Sequence, residues 1–167
     1  MTWKTGDTAV HLRDGICEIT GITEVARKFE KPESYFVLQP LYEASSKLYI
    51  PLERADQFLR APLTKDEAEE LIRKIPDSGE VWIDDEKKRQ LMLADARKNA
   101  SLETLLGLVH LFYEKKEEMT GAGRKFHSTD EQFLKDMDIR VNREFAYALG
   151  ISPDEVPAYI HRTLHNL

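Results

Sequence analysis

The chain holds a single cysteine, Cys17, among 167 residues, which excludes an internal disulfide and any zinc site built on cysteine pairs. Set among Ile16 and Ile19, that thiol reads as a small apolar core residue. No basic side chain stands near it in sequence to stabilise a thiolate. No run approaches the roughly 18 consecutive apolar residues of a membrane span. The opening Met1-Thr2-Trp3-Lys4-Thr5-Gly6-Asp7 has no apolar stretch of the secretion-signal kind, so a cytoplasmic location is expected. Excess positive charge is also missing, with 24 basic against 30 acidic residues and a net charge of −6. Residues through Pro62 include 8 basic and 9 acidic side chains, and the remainder has 16 and 21. Neither half is a cationic domain, so any contact with nucleic acid must be local and its intrinsic affinity weak.

The usual carriers of catalysis are equally scarce. The sequence has no glycine pattern for cradling phosphates and no metal-spaced cysteines. His161 and His165 share a helix face at i, i+4, yet no third ligand lies nearby, and they read as exposed histidines rather than a metal site. Asp84, Asp85 and Glu86 follow Val81-Trp82-Ile83 and suit a helix N-terminus, where the dipole favours negative charge, better than acid–base work. The chain is therefore read as a non-enzyme without cofactor, metal or small-molecule substrate. An enzyme would gather His110, His127 or carboxylates around one deep pocket.

What the sequence does contain is a change of period. Up to about residue 62, short β-rich runs alternate with turn signals: Ile16 to Thr23, Tyr35-Phe36-Val37-Leu38, and Lys47-Leu48-Tyr49-Ile50-Pro51. Gly6-Asp7, Asp14-Gly15, Lys31-Pro32 and Ala44-Ser45-Ser46 separate them. Four or five such strands predict a small, strongly bent antiparallel barrel with an open edge that either is protected or serves for docking. From Thr64 the period becomes helical. Thr64-Lys65-Asp66-Glu67 is a capping box ahead of Ala68, Leu71, Ile72 and Ile75, with Pro76 as a stop. A charged helix is expected across roughly Asp84 to Lys98. Ser101 caps a helix bearing Leu105, Leu106, Val109 and Phe112. Ser128-Thr129-Asp130-Glu131 reads as a second capping box, before Phe133, Met137, Val141, Phe145 and a stop at Gly150. Ser152-Pro153-Asp154-Glu155 is a third, before Val156, Tyr159, Ile160 and Leu164. No internal repeat or low-complexity segment occurs. The fold class is α+β.

Several of these segments, taken in order, resemble the CarD family, whose N-terminal module is shared with the polymerase-interacting domain of transcription-repair coupling factors. Gly6-Asp7-Thr8-Ala9-Val10 followed by Asp14-Gly15 is similar to the opening strand and glycine turn of that module. Tyr35-Phe36-Val37-Leu38 resembles its central strand, and Lys47-Leu48-Tyr49-Ile50-Pro51 the strand that ends in proline. In the second half Trp82 stands before the first long charged helix, as in CarD proteins. The run from Arg124 to Leu134 is similar to a loop and capping box of many members, and Glu144-Phe145-Ala146 lies where their last shared helix continues. The helix after Gly150 looks like an extension. Unlike the coupling factors, the chain has no ATP-binding motif.

The resemblance implies three parts: an SH3-like or Tudor-like barrel over residues 1–62 that binds the RNA polymerase β-subunit lobe, a connecting helix and linker over 63–81, and a helical DNA-contacting domain over 82–167. Arg27, Lys47, Tyr49, Ile50 and Pro51 are then the polymerase-binding candidates, through strand addition at an exposed sheet edge. Tyr49 departs from members that have arginine there. An alternative leaves Leu48 and Ile50 filling the barrel beside solvated Lys47 and Tyr49. In the second domain Trp82 is implied as a wedge at the upstream fork of a melted promoter, with Lys87, Lys88, Arg89, Arg124 and Lys125 as phosphate contacts. The alternatives are an ordinary packing tryptophan and a solvated charged helix face. The acidic Asp84-Asp85-Glu86 stretch departs from members with basic residues after the tryptophan. The partners implied are the RNA polymerase β subunit and promoter DNA, with a monomer as the default state and stabilisation of the open complex as the outcome. The competing function is a protein-only adaptor that bridges polymerase to another protein.

Overall fold

The computed structural model describes residues 2–43 and 45–166. The chain divides into two compact units, Met1–Leu63 and Thr64–Leu167. No helix among the described residues is long and apolar enough to cross a membrane.

The first unit is one antiparallel sheet of five strands: β1 Thr8–His11, β2 Gly15–Val25, β3 Glu33–Pro40, β4 Leu48–Pro51 and β5 Leu59–Arg60. Their spatial order is β4-β3-β2-β1-β5. Gly15 bends the chain between β1 and β2 at φ +77°, a backbone region that costs glycine little. β2 is long enough to pair with both neighbours, and its ladder with β3 shifts register between Ile19 and Gly21. Thr20, the residue left over there, donates its hydroxyl to the Val37 carbonyl at 3.2 Å. Such a bulge sharpens the local twist. The concave face buries Ala9, Cys17, Ile19, Phe36, Leu38 and Ile50, closed from below by Ala55 and Leu59. Ala55 belongs to the short helix α1, Ala55–Phe58. Trp3 packs against this core and donates its indole N–H to Asp56 at 3.0 Å.

The barrel expected from the strand spacing is not closed by hydrogen bonds: β4 and β5 end the order and do not pair with each other. A four-residue strand and a two-residue strand are too short to bridge that gap. Of the predicted turn Ala44-Ser45-Ser46, Ala44 lies outside the described residues.

The second unit contains α2 Lys65–Arg73, α3 Glu86–Asn99, α4 Leu102–Gly121, α5 Ser128–Met137, α6 Arg143–Leu149 and α7 Val156–His165. Its starts follow the predicted chemistry at three places. Thr64 and Glu67 form a reciprocal capping box on α2, Ser101 accepts from the Thr104 amide on α4, and Ser152 and Glu155 form a capping box in the turn before α7. The capping box predicted at Ser128 does not form. α5 begins after His127 without a side-chain cap, because Asp130 and Glu131 are drawn sideways to Arg89 and Lys116. One continuous helix was expected from Ser128 to Leu149, but a π-helical turn at Asp138–Asn142 separates α5 from α6. Gly150 ends α6 at φ +71°. The core of this unit is centred on Phe112, Phe133, Phe145, Leu106 and Met137.

Cys17 sits fully inside the sheet, and burial pushes its thiol up to about 12. A protonated, enclosed thiol is a poor nucleophile. Native protein at about pH 8 is therefore expected to resist a disulfide-exchange reagent such as Ellman's, with one thiol released on denaturation; rapid labelling of native protein would contradict this packing.

Candidate functional site

Two surfaces carry the residues singled out from sequence, one in each unit. In the first, β4 pairs among the described residues with β3 alone, through Tyr35 with Pro51, Phe36 with Ile50, Val37 with Tyr49 and Leu38 with Leu48. Its other edge faces a groove of about 410 Å³ lined by the turn His11-Leu12-Arg13 and by Tyr49, Pro51 and Arg54. Alternation along the strand divides the sequence candidates between faces. Ile50 turns inward and is only 4% exposed, whereas Tyr49 turns outward and is 56% exposed. Ile50 therefore offers a docking partner its main chain and not its side chain. Arg27 and Lys47 are exposed, and Pro51 is half-buried.

Tyr35 shows that some of these groups share a neighbourhood. Its hydroxyl donates to Glu33 at 2.9 Å, which raises its pKa from the ordinary tyrosine value. The positive charges of Arg27 and Arg54 partly offset that rise. Arg13 and Arg54 were missed by the sequence reading. They lie on a turn and a 3-10 segment, where neither period nor motif flags them, and only the folded sheet brings them to the β4 edge. His11 lines the same groove, and its Nδ1 accepts the Asp14 backbone N–H at 3.1 Å. Burial of its ring lowers the His11 pKa, a change that nearby Asp14 only partly opposes.

The second surface is built around Trp82. The connector leading to it packs on α4 at Gly107, where a Cβ would come within 2.9 Å of Ser78 Oγ. Glycine lets the connector pass there. Trp82 is half-buried, its ring 4.9 Å from Phe112 and 6.4 Å from Phe126, and Phe112 continues to Phe133 at 5.0 Å. These tilted separations are those favoured by aromatic quadrupoles. Two cations also approach the indole: the Arg89 guanidinium at 4.6 Å and the Lys115 ammonium at 5.5 Å. Lys115 was not among the sequence candidates, because a lysine in the polar stretch of α4 carries no signal of its own.

The phosphate-contact candidates separate sharply. Lys87, Lys88, Arg124 and Lys125 are exposed, the last two just ahead of the buried Phe126 that touches Trp82. Arg89 is different and corrects the reading from sequence. It is 4% exposed and pairs with the buried Asp130, with Nη2 to Oδ2 at 2.9 Å. Its guanidinium is consumed inside the protein and is not offered to a phosphate. The acidic stretch behaves as expected, since Asp85 caps α3 by accepting the Lys88 amide at 2.9 Å. His127 stands 3.3 Å from Glu86, apart from the other histidines.

His110 and His165 line a separate cavity of about 380 Å³, together with Glu80 and Glu114. His110 is 3.1 Å from Glu114, and the rings of His161 and His165 are 3.9 Å apart. No group of three metal-ligating side chains is poised to hold an ion among the described residues. Burial lowers the His110 pKa from 6.5, and the neighbouring His161 and His165 lower it further, against an upward pull from Glu114. A histidine lowered in the folded state is protonated more readily when unfolded. Its stabilising contribution is thus present above the ordinary value of 6.5 and is lost as pH falls below it. Thermal unfolding followed from about pH 7.5 down to about pH 5 is expected to show a falling midpoint, with a shallower fall for His110→Gln. Equal slopes for the two proteins would remove His110 as the cause.

No curated protein matches the chain. Residues 3–62, nearly the whole of the strand-rich unit, match the family model of the CarD-like/TRCF RID domain.

Proposed function

We propose that this protein is a transcription regulator that docks on the β-subunit lobe of RNA polymerase through its strand-rich unit and stabilises the open promoter complex with Trp82. The observation that carries the reading is the unpaired β4 edge beside a groove containing Arg13, Arg54 and Tyr49, in a domain of the polymerase-interacting family. An SH3-like or Tudor-like platform with a free edge at β4 accepts an added strand through main-chain hydrogen bonds. Side chains at the rim then select the partner. Arginine and tyrosine suit that selection, because they combine apolar area with directional hydrogen bonds.

The second unit acts by binding, with no covalent step. Indole insertion at a base step costs about a few kcal/mol, and the cost falls where the strands have already separated. Trp82 accordingly favours opened over closed DNA, and differential affinity of that kind shifts the equilibrium toward the open complex. Lys115, Arg124 and Lys125, with Lys87 and Lys88 farther along α3, supply phosphate contacts that position the unit without reading sequence. Attachment to polymerase raises the local concentration of this unit at the promoter, so weak contacts suffice in a cytoplasmic protein of net charge −6.

The packing of Trp82 against Phe112 and Phe126 and the withdrawal of Arg89 into its ion pair support one second reading, a protein-only adaptor whose helices recruit another protein. Photocrosslinking from position 81 in the assembled promoter complex separates the two, with DNA products expected for the regulator and protein products alone for the adaptor.

Two variants are expected to divide the activity. Arg13→Glu combined with Arg54→Glu should weaken polymerase binding by roughly tenfold or more, since it reverses two charges at the docking rim. Trp82→Ala should bind polymerase as the wild type does while returning open-complex lifetime, read by competitor challenge, to that of polymerase alone. Full lifetime extension by Trp82→Ala would overturn the wedge, and undiminished binding by the arginine variant would overturn the docking groove.

A further inference from the structure

Arg89 uses every edge of its guanidinium. Nε donates to Asp130 Oδ1 at 2.9 Å, and Nη2 pairs with Oδ2 of the same carboxylate at 2.9 Å. Nη1 donates to the backbone carbonyls of Ile83 at 2.9 Å and Asp84 at 3.3 Å. What remains is the flat face, which lies 4.6 Å from the centre of the Trp82 ring. One side chain thus grips the two peptides that follow Trp82 and covers its indole. Asp130, itself 1% exposed, is held in turn by Gln90, whose amide donates to it at 3.2 Å and to Thr129 at 2.8 Å.

A buried ion pair of this kind is a poor source of stability, because desolvation of both charges offsets their attraction, and a well-packed apolar pair in its place is often as stable. What a planar, bidentate guanidinium supplies is geometry that a lysine cannot reproduce. We infer that Arg89, fixed by Asp130, is the positioning residue for Trp82: it sets the course of the backbone from Trp82 to α3 and the angle at which the indole is presented. The inference rests on the proposed function only for the use to which that indole is put.

The protein contains two tryptophans, so Trp3→Phe leaves Trp82 as the sole indole reporter in the full-length chain. In that background Arg89→Met with Asp130→Leu replaces the ion pair by apolar side chains of similar reach. Its thermal midpoint is expected to stay close to that of the parent. With the Ile83 and Asp84 carbonyls no longer gripped and the cation over the ring gone, Trp82 is expected to lose its fixed angle, to emit at longer wavelength and to be quenched by acrylamide about twice as readily. Arg89→Lys keeps the charge and loses the fork, and an intermediate rise in quenching is expected. A folded double variant with parental emission and quenching would overturn the inference. If the double variant fails to fold, parental behaviour of Arg89→Lys overturns it alone. The quenching measurement needs no polymerase, so the two claims fail separately. Altered quenching together with no effect of the wild-type protein on open complexes sinks the promoter reading and leaves the positioning role. Unaltered quenching, alongside loss of lifetime extension in Trp82→Ala, sinks the positioning role and leaves the promoter reading.

Discussion

The helical unit depends on a charge buried in a place where charges are expensive. Arg89 and Asp130 come from α3 and the first turn of α5, 41 residues apart in sequence, and each is nearly inaccessible to solvent. Removing one member of such a pair strands the other and typically costs about 3–5 kcal/mol, a large share of a small domain's stability. That asymmetry makes the pair a constraint as much as an attraction. α3 and α5 must meet in one register, and the segment between Trp82 and Asp84 must follow a path on which two carbonyls reach the same guanidinium. The aromatic column of Trp82, Phe112 and Phe133 packs within this frame.

The strand-rich unit solves a different problem. Its strands are too few and too short to close a ring, so the sheet bends over a core of about eight side chains and leaves the outer edge of β4 without a strand partner among the described residues. An unpaired edge is a liability unless it is blunted or used. β4 has the marks of both: it is four residues long, ends in Pro51, and is bordered by Arg13 and Arg54. Short length and like charge discourage pairing between copies of the chain while leaving the edge open to a partner of opposite charge. The CarD-like/TRCF RID match over residues 3–62 is consistent with this economy.

Much of the fold was legible because local chemistry and tertiary structure agree. Short β-rich runs between turn signals marked β3 and β4, and caps marked Thr64, Ser101 and Ser152. The failures share a cause. Asp130 sits where a capping box predicts a local role, and Arg89 sits in a run of three cations that reads as a solvated face, yet each answers to the other across the fold. A long-range ion pair has no periodic signature. The same holds for Lys115, Arg13 and Arg54, whose importance comes entirely from what folding puts beside them, and for the π-helical turn at Asp138–Asn142, which leaves the apolar pattern of α5 and α6 nearly unbroken. Trp82 was legible only through the resemblance to CarD proteins, since a tryptophan between Val81 and Ile83 is by periodicity a packing residue. In the structure it is half that: one side belongs to the aromatic column, and the remainder reaches the surface.

Under the proposed function, this division bears on how an acidic protein acts at DNA. Of the six residues first expected there, Arg89 is spent internally. Without a replacement, the indole would stand beside Asp84, Asp85 and Glu86 with little positive charge near it. Lys115 alters that balance. It approaches the indole at 5.5 Å from α4, independently of the acidic start of α3, while Asp85 is engaged in capping. Within a Debye length of about 10 Å at 0.1 M salt, the field at Trp82 is set by these near neighbours and not by the molecular net charge. A protein of this kind has no need of a cationic domain. The proposed function asks only for one aromatic edge, held rigidly, with one or two cations close enough to hold phosphate, and a partner that brings both to DNA already pulled apart. Under the proposed function, net negative charge contributes to selectivity, because it disfavours binding to duplex DNA away from polymerase.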